Sequence, residues 1–163
     1  MLQPQTYIAY SQALNLRAPK IENMDRTELP QLFADRFGWP EMAELTAEVF
    51  HSLSPADQSV AVVLGNNYGQ AGAIDFYGPA LGLPEAISGH QNYYLWGPRG
   101  HSGEVVIALG YQSSFLLRYF GSVQATQMFQ HPYAMSYEFF PIYICRQPKA
   151  PLDEMWENFK NWQ

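Results

Sequence analysis

The residues best equipped for chemistry fall in two runs. Gly65-Asn66-Asn67-Tyr68-Gly69-Gln70-Ala71-Gly72 sets glycines and carboxamides at the end of an apolar stretch. Ser88-Gly89-His90-Gln91-Asn92-Tyr93-Tyr94-Leu95-Trp96-Gly97-Pro98-Arg99 gathers amides, aromatic rings, a histidine and a guanidinium. A glycine-bearing turn that opens a helix presents backbone N–H groups and a positive dipole end, which favour phosphate or carboxylate. Carboxamides both donate and accept, so they suit hydroxyls, and Tyr94 and Trp96 offer faces on which a sugar ring stacks. The candidate ligand contacts are Asn66, Asn67, Tyr68, Gln70, His90, Gln91, Asn92, Tyr94, Trp96 and Arg99, with Arg99 or the helix start taking any phosphate. A plainer reading stands beside this one: Asn66 and Asn67 are good helix caps, and the second run suits an ordered loop packing its rings on the core.

Known catalytic and nucleotide signatures are missing. The glycine spacing fits neither the dinucleotide fingerprint nor the P-loop, and no Gly-Lys-Ser/Thr occurs. Ser88 is not framed by Gly-x-Ser-x-Gly. Asp75, inside the expected helix, needs either solvent or a partner such as Arg99. A free-standing catalyst would use His90 as base with Asp75 behind it. The four histidines, His51, His90, His101 and His131, form neither His-x-His nor His-Glu-x-x-His, so neither a metal site nor a cofactor is indicated. Cys145, the single cysteine, can form no internal disulfide and reads as a small buried hydrophobe in a strand.

The elements that must position these groups follow from periodicity. Pro40 and Glu41 open a helix whose apolar stripe is Met42, Leu45, Val49 and Phe50, and Ser54-Pro55 ends it. Strands are expected at 60–64, 85–88, 104–109, 122–129 and 142–145, and helices at 4–14, 69–81, 113–119 and from Pro151 onward. The run at 60–64 is continuous and β-branched, as in a strand buried on both faces. Alternating strands and helices predict a three-layer α/β domain over 39–163, its sheet mainly parallel and flanked by helices. No helix separates the last two strands, which leaves one edge open to an antiparallel strand. In such a sheet the two polar runs sit at the carboxyl ends of strands, where open α/β sheets bind ligands. Residues 1–38, with a charged stretch at 17–30, read as a connector arm without its own core.

Bulk composition narrows the classes. The 163 residues suit one domain, and a net charge of -6 without any Lys/Arg cluster excludes nucleic acid and an anionic membrane surface as partners. Eleven Tyr, ten Phe and four Trp supply rings for packing and for a cleft. No apolar run approaches the roughly 18 to 20 residues of a membrane span.

Several segments together resemble a known family. These are 30–39, the Asn-Asn-Tyr-Gly block at 65–78, the Ser-Gly-His-Gln-Asn block at 88–100, Glu104-Val105-Val106-Ile107 and His131-Pro132-Tyr133-Ala134-Met135. They are similar to the C-terminal soluble region of bacterial membrane glycosyltransferases of family 39, related to dolichyl-phosphate-mannose–protein mannosyltransferases. The likeness spans about residues 5–162. It implies an extracytoplasmic, periplasmic domain tethered through its N-terminus to a membrane-embedded part of the same polypeptide. That part carries the catalytic acidic residues, so none is carried onto this chain. The implied function is an accessory or ligand-binding domain for a sugar or polyprenyl-phosphate sugar. Two other readings remain: a free-standing α/β hydrolase or transferase acting on a polar small molecule, and a purely structural or oligomerisation domain.

Overall fold

A computed structural model describes residues 2–16 and 28–162. The chain divides into two compact units, 1–38 with 130–139, and 39–129 with 140–163. Of the charged stretch at 17–30, residues 17–27 lie outside the described residues.

The first unit holds α1 (Pro4–Ala13) and α2 (Gln31–Ala34). Together with the segment 130–139 it buries Leu29, Ala34 and Met135, with Tyr7, Phe33, Phe37 and Tyr133 packed around them. Pro132–Phe139 supplies part of this small core because the chain leaves the sheet between its last two strands.

The second unit runs α3 (Trp39–His51), α4 (Pro55–Val60), β1 (Ala61–Gly65), α5 (Tyr68–Tyr77), a 3-10 turn (Gly78–Leu81), β2 (Ala86–Ser88), α6 (Asn92–Leu95), β3 (Val105–Leu109), α7 (Ser113–Leu116), β4 (Phe120–Phe129), β5 (Phe140–Pro148), α8 (Leu152–Met155) and a 3-10 turn (Trp156–Phe159). The five strands form one open mixed sheet in the order β2-β1-β3-β5-β4. β1 pairs parallel with β2 and β3, whereas β5 runs antiparallel to both β3 and β4. The reversed strand is therefore β5, one place in from the β4 edge. The short connection without a crossover helix requires this antiparallel return.

Alternation along the strands feeds two hydrophobic clusters. Val63, Ile107 and Ile142 join side chains of α3 and α5, including Met42, Phe50 and Ile74. Val62, Leu64 and Val106 join Leu116, Leu152, Met155, Trp156 and Phe159. β1 and β3 are buried at every position, which matches their unbroken apolar sequence.

Where observed elements differ from expectation, the cause is local. Ser54-Pro55 ends α3 but also starts α4: the Ser54 hydroxyl accepts the Asp57 N–H at 3.1 Å, and Pro55 suits a first helical position. Val60 belongs to α4, so β1 begins at Ala61. The helix expected at 69–81 is α-helical only to Tyr77, because Pro79 has no N–H to continue the ladder. The final helix likewise passes into a 3-10 turn after Met155. β4 and β5 are longer than expected, since they pair with each other well beyond their apolar centres.

Candidate functional site

The strand order reverses direction at β1. From β1 the chain crosses to β2 on one side, then returns past β1 to β3 on the other. The gap outside the carboxyl ends of β1 and β3 is thus the topological switch point, where open α/β sheets form ligand crevices. A crevice of about 310 Å³ lies there. Asn66 enters it from the end of β1, and Gly110, Tyr111 and Gln112 from the end of β3. Phe115 of α7 and the C-terminal residues Asn158, Phe159, Lys160 and Asn161 complete its wall.

Two close approaches build this wall. Gly110 has φ +75°, and a Cβ there would meet the Gln70 side chain at 2.7 Å, so only glycine lets β3 turn against α5. The Asn66 N–H reaches the Leu109 carbonyl at 3.0 Å, tying the two strand ends together. The C-terminal segment is held by Gly89: the Asn161 N–H donates to the Gly89 carbonyl at 2.8 Å, and the Gln91 N–H donates to the Asn161 carbonyl at 2.9 Å.

The start of α5 is closed on itself. Asn67 is its N-cap, and its Oδ1 accepts the Gln70 N–H at 2.8 Å. The Gln70 Oε1 accepts the N–H of Asn66 at 2.9 Å and that of Asn67 at 3.4 Å, completing a capping box. The Tyr68 N–H donates to His90 Nδ1 at 3.2 Å, and the two rings stack at 5.1 Å. Gln70 and His90 are both buried, and the His90 N–H donates to the Ser88 hydroxyl at 3.1 Å. Four of the N–H groups at this helix start, those of Asn66, Asn67, Tyr68 and Gln70, are thereby bonded to side chains of the protein itself.

A second cluster forms around Arg99, which holds a left-handed φ of 52° between Gly97 and Gly100. Its guanidinium pairs with Asp75 at 3.4 Å and Glu85 at 3.2 Å, and lies 5.2 Å from the Trp96 ring centre and 5.8 Å from that of Tyr93. Asp75 is the partner expected for Arg99. Its Oδ1 also accepts the Ala86 N–H at 2.7 Å and its Oδ2 the Tyr93 hydroxyl at 3.0 Å. Burial, and then the neighbouring Asp75 charge, push the Tyr93 hydroxyl up to about 12. Asp75 is thus tied to Arg99, Tyr93 and the β2 backbone rather than placed behind His90.

The ten sequence candidates therefore do not converge on one spot. Asn66 lines the crevice, while Asn67, Gln70, Tyr68 and His90 brace the start of α5 beside it. Gln91 and Asn92 are exposed at the start of α6, and Gln91 takes a left-handed φ of 49°. Tyr94 stacks on Trp156 at 6.1 Å, accepts the Trp156 indole N–H through its carbonyl at 3.0 Å, and donates its hydroxyl to Glu157. That bond and Lys160 hold Glu157 below the usual carboxylate range. Trp96 and Arg99 belong to the second cluster.

Sequence reading missed the β3 side and the C-terminal wall. Gly110-Tyr111-Gln112 directly follows an apolar run, so the rule that found Asn66 would have found it too. The wall at 158–161 rests on a pairing with Gly89 that leaves no local signal. Among the described residues no group of three His, Cys, Asp or Glu side chains is placed to hold a metal ion, and no helix is long and apolar enough to cross a membrane. No family model matches the chain, and neither curated proteins nor solved structures give a match.

Proposed function

We propose that this chain is a ligand-binding accessory domain, three-layered, that holds a saccharide in the crevice outside β1 and β3. The crevice carries the reading: it lies at the switch point and combines the side-chain amides of Asn66, Gln112, Asn158 and Asn161 with the rings of Tyr111, Phe115 and Phe159. Amides match hydroxyls in both roles, and aromatic walls suit the apolar faces of a sugar. The two hydrophobic clusters on alternate strand positions support the three layers. The resemblance to family 39 glycosyltransferases supports the setting: an extracytoplasmic domain, tethered through its N-terminus to a catalytic membrane part that uses a polyprenyl-phosphate sugar.

An isolated catalyst is less well supported. Asp75 is engaged by three other groups, and His90 is buried with Nδ1 occupied by the Tyr68 N–H.

Calorimetric titration with a panel of methyl glycosides tests the binding reading. Asn66→Ala with Gln112→Ala is expected to weaken the best binder about tenfold or more, the worth of roughly 1.4 kcal/mol, with the melting temperature unchanged. Unaltered affinity in the folded double variant removes the crevice as the site. Fractionation tests the setting: an antibody to this chain is expected to detect a membrane band much larger than 18.6 kDa. A soluble band of that size alone would remove the tether.

A further inference from the structure

We infer that the crevice takes an uncharged, hydroxyl-rich ring rather than a ring bearing phosphate or carboxylate. This rests on the saccharide reading above and narrows it: the crevice serves the neutral acceptor side, not the phosphate of a lipid-linked donor.

Two potential anion sites lie at the crevice and one more in a separate cleft, and each is matched by the protein's own groups, while Arg118 lies over the rings of Phe115 and Tyr119 at 5.7 Å and 5.5 Å. The first is the start of α5, where Gln70 packs close to Gly110 of the crevice wall. The N–H groups of Asn66, Asn67, Tyr68 and Gln70 are bonded to the Gln70 amide, the His90 ring and the Asn67 amide. A phosphate there would have to displace a complete capping box. The second is Arg99. Its guanidinium is flanked by two carboxylates, Asp75 and Glu85, and lies against two rings in a separate cleft, so its charge is already matched.

The third is Lys160, the one cation among the described residues that line the crevice. Its ammonium sits 3.2 Å from Glu157, and 5.1 Å and 5.9 Å from the ring centres of Tyr94 and Trp162. Glu157 is itself held ionised by the Tyr94 hydroxyl and Lys160. The pair presents a dipole rather than a net positive charge. A chain of net charge -6 adds a field that opposes anions.

What remains for a ligand is neutral. Asn66 and Gln112 both line the crevice, and neither carboxamide has a hydrogen-bond partner among the described residues. Each offers one acceptor and two donors, the complement of vicinal hydroxyls. Phe115, half-buried and stacked on Tyr111 at 5.5 Å, supplies an apolar edge beside them.

The test compares methyl glucoside, methyl mannoside and N-acetylglucosamine with their phosphate esters and with glucuronic acid, by calorimetry at low ionic strength. Binding at the crevice is identified by its loss in Asn66→Ala with Gln112→Ala. The expected result is that at least one neutral sugar binds there and that its phosphate ester or uronate binds no more than about threefold tighter. Lys160→Gln should then leave the ratio of ester affinity to neutral-sugar affinity within about threefold of its wild-type value. A charge-assisted bond to an anion would instead give roughly tenfold or more. An anionic sugar binding tenfold tighter, with the gain erased by Lys160→Gln, would overturn the inference and leave the crevice reading standing. Failure of every sugar, neutral and anionic, to bind in a manner sensitive to the double variant would overturn the crevice reading itself.

Discussion

The wall of the crevice depends on one backbone contact, and a methyl group at Gly89 measures it. A Cβ built there would lie 1.8 Å from the Phe159 carbonyl oxygen, 2.5 Å from its carbon and 3.0 Å from its Cβ. Backbone cannot yield as a side-chain tip can, so Gly89→Ala must push the segment at 159–161 away. Two hydrogen bonds then fail, Asn161 N–H to Gly89 and Gln91 N–H to Asn161. Overpacking costs about 1–3 kcal/mol, and each lost bond about 1 kcal/mol. The sum is roughly 3–5 kcal/mol, a fall of about 6–20 °C in melting temperature for a chain of this size. Gly97→Ala is the control. Gly97 has φ +68° and nothing within 4 Å of an added Cβ, so its cost is the left-handed backbone alone, about 1 kcal/mol. Urea unfolding at matched slope gives both values. Equal costs for the two variants, or a Gly89→Ala chain within about 1 kcal/mol of wild type, would refute the contact and with it the position of the crevice wall.

Other consequences are smaller. Asn67→Ala should cost about 1 kcal/mol by removing the acceptor that stands 2.8 Å from the Gln70 N–H, whereas Asn67→Asp keeps the cap and should melt with wild type. Arg99→Gly should be less damaging than Arg99→Ala by about 1 kcal/mol in urea unfolding, because glycine relieves the φ of 52° while both lose the Asp75 pair. Burial raises the Cys145 thiol from 9.0 to about 12, and burial with the Asp75 charge raises Tyr93 from 10.0 to about 12. The unfolded chain gives up these protons first, so stability should be intact below about pH 9 and decline as pH rises from 9 toward 12. Cys145→Ala should make that alkaline decline shallower, which a melting series across pH would show.

Apolar runs made much of the fold legible. β1 and β3 are buried on both faces and read as unbroken hydrophobic stretches, and α3 carries its stripe at helical spacing. β4 was harder to bound because it is an edge strand with mostly exposed or half-buried residues, so its length comes from pairing with β5 rather than from its pattern. α4 was hidden by Ser54-Pro55, a pair that both stops one helix and starts the next. At the site, Asn66 and the Asp75–Arg99 pairing were readable from residue type and place. The closed start of α5 also has a sequence signature, Asn67 followed three residues later by Gln70, which points to a cap rather than an anion cradle. Phe159 and Asn161 were not readable as wall residues, because a strand-like bridge between Gly89–Gln91 and Asn161 is a contact across some seventy residues of chain and leaves no periodicity.

The most direct measurement is an amide chemical-shift map of this chain titrated with the tightest-binding methyl glycoside. A ligand seated at the switch point should move the resonances of Asn66, Gly110, Gln112, Asn158 and Asn161 in a saturable manner and leave Arg99 and Trp96 unmoved. Saturable shifts confined to the Tyr93, Trp96 and Arg99 cluster, or no saturable shift with any glycoside, would contradict a saccharide site outside β1 and β3.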